Sequence, residues 1–391
     1  MAALKRVAIA LEIDQPYPQH QDVFAGVQRF AKVRGDWLCV IDEHPCLQTQ
    51  RRGTPRPGYD GVIARATDPL RRRLKRLGIP LVNTHYQEEK PGTYGVYPDP
   101  TLMGQLAAEH LLDRGFRRLA AFGDHSHKHS WQISAAFKTL AEERAATCDL
   151  HHLPEMPYIE PSSWRELESA IGQALTGLTS PVAVFLESAS TARLVIQQCT
   201  SRGWRVPQDV AVLCQYNLKA IVDVSPQISS VEGNYEALGY EAAALLARMM
   251  AGEQVPAEPI FVAPRQVIAR ESTDYYAVED AIVASALRHI SRNIASPLPI
   301  EEIAYALAVS PRQLQLRFDK ALGHGISDEI RRLRLARAKR LLTNPDIAIG
   351  SIAEQCGFGR PQLFNAVFRR ETGMTPSHYR KRLLGETGGE V

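Results

Sequence analysis

The sequence predicts a two-lobed α/β region of parallel sheets flanked by helices, followed by an all-α domain with two helix-turn-helix motifs. Three observations predict it. Over the first 270 residues, short apolar runs alternate with amphipathic stretches at helical spacing, the pattern of βαβ units. That pattern stops around residues 275–280. Beyond it no strand pattern appears, and one helix-turn-helix pattern occurs twice. The expected division is 1–274 for the two lobes, 275–280 for a linker, 281–384 for the helical domain and 385–391 for a tail.

In the front region the buried-strand candidates are RVAIAL (6–11), WLCVI (37–41), DGVIA (60–64), IPLV (79–82), LAAF (119–122), PVAVF (181–185) and VAVLC (210–214). Their near-continuous β-branched and apolar character fits strands covered on both faces. The stretch 21–33 carries Val23, Phe24, Val27, Phe30 and Ala31 close to helical spacing. Further helix patterns fall at about 68–77, 99–114, 131–143, 164–177, 189–202 and 234–251. Pro and Gly cluster at the joints, as in RRGTPRPGYDG and 256–264.

The chain has 391 residues, 45% hydrophobic and 23% charged, the mix of an ordinary globular protein of two or three domains. No apolar run is long enough to span a bilayer, and MAALKRVAIALEID offers no signal-peptide h-region, so a cytoplasmic location is expected. Six cysteines without a C-x-x-C pair suit reduced thiols. The net charge of +3 is uneven. Residues 281–384 hold 17 Lys/Arg against 8 Asp/Glu, and the remainder is acidic. A basic module on an acidic body fits nucleic-acid binding; a solvated helical surface is the bland alternative.

The helical domain carries the specific signal. In EEIAYALAVSPRQLQLRFDKALGHGIS (301–327), a first helix presents Ile303, Ala304 and Leu307. Val309-Ser310 turns the chain, Ser310 is an N-cap, Pro311 sits at the first helical position and Gln313 can close a capping box. Leu314, Phe318 and Leu322 face inward, and Gly323 stops the second helix. The pattern returns in SIAEQCGFGRPQLFNAVFRRETGMTPS (351–377): Ile352-Ala353, Phe364, Phe368, Gly373 and Ser377 match Ile303-Ala304, Leu314, Phe318, Gly323 and Ser327. A basic helix over 326–342 joins the copies, and Gly373, Pro376, Tyr379 and Arg380 close the second.

This segment resembles the DNA-binding domain of AraC/XylS-type transcription regulators over about 281–384. The resemblance rests on the capped first motif with Arg312 and Phe318, on RLRLARAKRLL and on IAEQCGF…F..VFRRETGMTPSHYR. It implies a seven-helix domain whose two recognition helices enter successive major-groove segments about one turn apart. In the front region AAEHLLDRGFRRLAAFG (107–123), Asp99 and Gly104 in D-x-x-x-x-G, and ISSVEGNYEALGYEAAALLARMMAGE (228–253) resemble the LacI/GalR and periplasmic-binding-protein effector domain. With PRQVIARESTD (264–274) directly before the AraC-type segment, the whole chain resembles the bacterial xylose-operon activator group, a LacI-like sensor fused to an AraC-like reader. That resemblance implies a homodimer, operator DNA, RNA polymerase for an activator, and a small-molecule effector of the sugar class. It implies no cofactor and no metal.

In such a sensor ligands sit between the lobes, at the carboxyl ends of strands. The loop-end candidates are Tyr17, Arg65, His85, Trp131, Glu187, Tyr216 and Asn217. Where sugar-binding relatives place an Asp after the strand VAVLC, this chain reads Gln215-Tyr216-Asn217. After PVAVF it reads Leu186-Glu187-Ser188-Ala189, and Ile133 lies near the usual arginine. The run His125-x-His127-x-His129 reads as a loop of solvated histidines facing the cleft rather than a zinc site. Arg71-Arg72-Arg73 reads as a solvated face.

On the reader, with Leu314 and Phe318 inward at 100° per residue, Arg312, Gln313, Leu316 and Lys320 face outward or flank that face. In the second copy Gln362, Ala366, Arg369 and Arg370 do so, with Arg360 and Asn365 near the helix start. Arg312, Gln313, Gln362 and Asn365 are expected at base edges, with Leu316 and Ala366 making apolar contacts; Lys320, Arg369 and Arg370 suit phosphates. Phosphate-loop, dinucleotide and hydrolase signatures are absent, so no enzyme is expected. Two readings compete: an effector-controlled transcription regulator, an activator of sugar catabolic genes, or a DNA-binding protein whose sensor only oligomerises or takes a non-sugar ligand.

Overall fold

The computed structural model describes residues 4–13, 18–45, 58–86, 94–125, 127–154, 161–256, 258–342 and 347–383. Lobe 1 begins with β1 (Lys5–Ala10), α1 (Pro18–Arg34), β2 (Trp37–Ile41), β3 (Gly61–Ala64), α2 (Asp68–Leu77), β4 (Leu81–Asn83) and β5 (Tyr94–Pro98). Lobe 2 holds α3 (Pro100–Leu112), β6 (Arg118–Gly123), α4 (Lys128–Glu143), β7 (Thr147–His152), α5 (Pro161–Thr176), β8 (Val182–Leu186), α6 (Ala189–Ser201), β9 (Val210–Cys214), α7 (Lys219–Val222) and β10 (Ser229–Glu232). The chain returns to lobe 1 for α8 (Tyr235–Met250) and β11 (Ile260–Val262), then crosses once more for β12 (Gln266–Ile268).

Each lobe is built on one six-stranded sheet. The orders are β11-β5-β4-β3-β1-β2 and β12-β10-β9-β8-β6-β7. All pairs are parallel except β10–β12. Every residue of β3, β8 and β9 is buried, because helices cover both faces of a parallel sheet. The unpredicted strands are β5, β7, β10, β11 and β12. They are short or polar, as SSVE and TCDLHH show, and pair at or near sheet edges.

Two glycines set the helix packing that fixes the lobes. A Cβ on Gly239 of α8 would lie 1.9 Å from the carbonyl oxygen of Val23 in α1, so backbone meets backbone there. Gly104 plays the same part between α3 and α4, where an added Cβ would lie 2.2 Å from the Ile133 carbonyl oxygen, while Asp99 caps α3 by accepting from the Leu102 amide at 3.0 Å. Both halves of the D-x-x-x-x-G pattern thus act on one helix.

The C-terminal region is all helical among the described residues: α9 (Ala281–Arg292), α10 (Ile300–Ala306), α11 (Pro311–Leu322), α12 (Ile326–Leu342), α13 (Ile349–Gln355), α14 (Pro361–Thr372) and α15 (Pro376–Leu383). The first helix of the first motif ends earlier than its spacing suggested, leaving Leu307 as its C-cap. The Ser310–Gln313 capping box forms in full, and Gly323 and Gly373 end α11 and α14 in the left-handed conformation. Helix α12 is a spine shared by two small cores. Ile326 and Ile330 enter the first with Leu314 and Phe318; Leu335, Ala338 and Leu342 enter the second with Phe364 and Phe368. Among the described residues no helix is long and apolar enough to cross a membrane.

Candidate effector cleft and nucleic-acid interface

A cleft of about 390 Å³ opens between the lobes at the carboxyl ends of the strands. Lobe 1 supplies Arg65, following β3, and His85, following β4. Lobe 2 supplies Asp124, Glu187 and Tyr216, following β6, β8 and β9. Helices complete the lining with His20 from α1, His129 and Ser130 from α4, and Tyr235 at the start of α8.

Local hydrogen bonds hold these groups. Buried Asn83 accepts from the amides of Ala66 (3.0 Å) and His85 (3.2 Å), and its Nδ2 donates to the His85 carbonyl (2.8 Å) and the Tyr97 hydroxyl (3.1 Å). One side chain therefore shapes both lobe 1 loops that carry candidates. Arg65 pairs with Glu12 at 3.2 Å. The Glu187 carboxylate accepts from the Asp124 amide at 2.8 Å, and burial pushes its carboxyl above the usual range. Burial, with Arg65 nearby, pulls His85 down to about 3, and burial pulls His129 down to about 4. Both rings are neutral at pH 7, so each offers one donor and one acceptor.

The structure brings Arg65, His85, Glu187 and Tyr216 together in the cleft. Trp131 does not. The α4 helix starts at Lys128, a turn earlier than its apolar spacing suggested, and its buried face runs through Ser130, Ile133, Ser134 and Phe137. Trp131 is left 48% exposed, edge-on to His125 at 5.8 Å. Asn217 also turns away: its Oδ1 accepts from Arg270 Nη2 at 2.7 Å and from the Ser230 hydroxyl at 3.2 Å. Tyr17 lies outside the described residues. The histidine run splits. His127 lines the cleft as an exposed ring beside Asp124, as the solvated reading had it, whereas His129 sits in the first turn of α4 and lines the cleft as a half-buried, neutral ring. The sequence pattern does not single out His20, Asn83, Asp124 or Tyr235; of these only Asp124, after the strand LAAFG, carries a local signal.

On the helical domain Arg312, Gln313, Leu316 and Lys320 stand exposed on α11. Gln362, Asn365, Ala366, Arg369 and Arg370 do so on α14, with Arg360 at its N-cap. Leu314, Phe318, Phe364 and Phe368 are fully buried beneath them. The Gln313 side-chain Oε1 is occupied in the cap, accepting from the Ser310 amide at 3.2 Å. Arg370 donates to Glu371 at 2.9 Å. Leu316 is 60% exposed, and Leu363, which the periodicity did not single out, is 53% exposed. Two equivalent faces, each mixing cations, amides and bare apolar side chains, thus stand on one spine.

A periplasmic-binding-protein-like domain model matches residues 108–273, and a helix-turn-helix domain model matches residues 303–382. The xylose operon regulatory protein of Haemophilus influenzae is 29% identical over 335 residues, covering 82% of this chain and 84% of that one. The protein of the same name from Escherichia coli K12 is 28% identical over 331 residues, covering 82% and 83%. The fold is similar to the structure of the xylose-binding transcription activator xylR, with TM-score 0.60 and 23% identity over 97% of this chain and 99% of that one.

Proposed function

We propose a mechanism for this chain, a XylR-like, sugar-responsive, DNA-binding transcription regulator, in which an effector held between the lobes alters how the AraC-type reader engages its operator. The observation that carries it is the pair of equivalent exposed faces on α11 and α14, set on the single spine α12, in a chain that also holds a cleft lined from both lobes. The sensor is taken as 1–274, the linker as 275–280 and the reader as 281–384.

The effector is a sugar held by Arg65, His85, Glu187 and Tyr216. Neutral imidazoles and a carboxylate suit hydroxyl groups, and Tyr216 offers a ring face for stacking. Arg312, Gln313, Leu316, Gln362, Asn365 and Ala366 read base edges, Lys320, Arg369 and Arg370 hold phosphates, and Arg360 contacts the DNA from the start of α14. The protein acts as a cytoplasmic homodimeric activator that works with RNA polymerase at sugar-catabolic promoters, and it performs no covalent chemistry.

Calorimetric titration of the full chain with a panel of aldoses and ketoses, D-xylose included, tests this reading. Binding of one sugar should be lost in Glu187→Ala and should shift operator affinity in the wild type. Because a ligand acts only through unequal affinity for two states, a sugar that binds tightly yet leaves operator affinity, footprint and transcription unchanged overturns it.

A further inference from the structure

The segment between sensor and reader does not hang free. Tyr275 and Ala277 pack against the lobe 2 core, while Tyr276 and Val278 pack into the first reader core, where Tyr276 is 3% exposed. The four side chains alternate between the two cores, so four successive residues stitch the cores together. The Ala277 amide donates to the Arg114 carbonyl oxygen at 2.7 Å, just beyond the end of α3. Arg114 itself donates to the Thr273 carbonyl at 2.8 Å, and its guanidinium lies 5.8 Å from the Tyr276 ring centroid.

The neighbouring Asp113 makes the second tie. Its carboxylate, 11% exposed, accepts from Arg332 on the spine α12 at 2.6 Å. Arg332 also makes two bonds of 2.9 Å to Glu329, whose side chain is 3% exposed and which takes His324 at 2.8 Å. Burial raises the Glu329 carboxyl, but Arg332 and His324 outweigh it and hold the group below the usual range. On the sensor side the contacts of Ala277, Tyr275 and Arg332 all end on lobe 2. A cavity of about 360 Å³ remains between α3, β12 and α12, so the joint is held by ties at its rim rather than by a filled core.

We infer that lobe 2 and the reader move as one body, and that Asp113 of the sensor is a positioning residue for the DNA-reading spine through Arg332. Lobe 1 is then the element that moves against this body when the cleft closes. The inference deepens the regulator reading but does not depend on any effector.

Hydrogen exchange of the full chain, free of DNA and sugar, tests it. Peptides over 273–280 should be protected comparably to the reader helices in the wild type. Asp113→Ala and Arg332→Ala should each speed exchange there at least tenfold, with Asp113→Glu keeping most of the protection. Peptides in β8, β9 and α11 should be unchanged, which separates loss of the tie from unfolding. A linker that exchanges freely in the wild type, or that stays protected in both alanine variants, overturns the inference. A wild type that shows the protected linker, with its loss in both alanine variants, yet binds neither sugar nor operator would instead count against the regulator reading.

Discussion

Tyr86 of lobe 1 stands edge-to-face against His129 of lobe 2, their ring centroids 5.8 Å apart and their planes at 73°. The Lys128 ammonium lies 6.0 Å from the same tyrosine ring, so the first turn of α4 is held from across the cleft. An aromatic pair of this geometry contributes about 0.5–1.5 kcal/mol beyond its burial. His129→Ala should shift the lobes toward opening by that order, seen as a larger radius of gyration in small-angle scattering without sugar. An unchanged scattering curve would show the pair to be idle.

The two half-buried cleft imidazoles make stability pH-dependent. Both His85, near 3, and His129, near 4, are depressed from 6.5. Below 6.5 the unfolded chain takes up protons that the folded rings refuse, so this stability is present above about 6.5 and is lost as pH falls toward 4. The wild-type melting temperature should drop between pH 7.5 and 5 more steeply than that of His129→Asn. Equal slopes would mean that His129 protonates freely in the folded state.

Gly239→Ala should cost about 1–3 kcal/mol, the usual range for overpacking, because the obstacle is the Val23 backbone and not the end of a side chain. Urea denaturation should show a lower midpoint. A variant as stable as the wild type would mean that α1 and α8 separate freely.

The two arginine classes on the reader should behave differently. Arg312→Ala should relax the preference at one base position, at about 1–3 kcal/mol if its contact is bidentate. Arg370→Ala should weaken all sequences about equally and flatten the salt dependence of binding. Selection from randomised operators distinguishes them. Unaltered preferences in Arg312→Ala, together with a changed base in Arg370→Ala, would reverse the assignment.

The sequence by itself determined the features that nearby residues decide. A strand such as VAVLC needs only its own apolar run to be recognised as buried on both faces, and it is. The Ser310–Gln313 box closes within four residues, and the inward Phe318 and Phe368 follow from helical period alone. Tertiary structure decided what depends on distant partners. The three-residue strands β11 and β12 are strands because β5 and β10 lie beside them. Asn217 leaves the cleft because Arg270, far along the chain, takes its oxygen. His129 enters, and Trp131 does not, because α4 begins a turn early and packs Ser130 and Ile133 inward. Tyr275 and Tyr276, adjacent and chemically alike, pack against different cores because the segment that carries them runs between lobe 2 and the reader. Periodicity records which face of an element is buried, whereas convergence at a cleft or a joint depends on where other elements bring their own side chains.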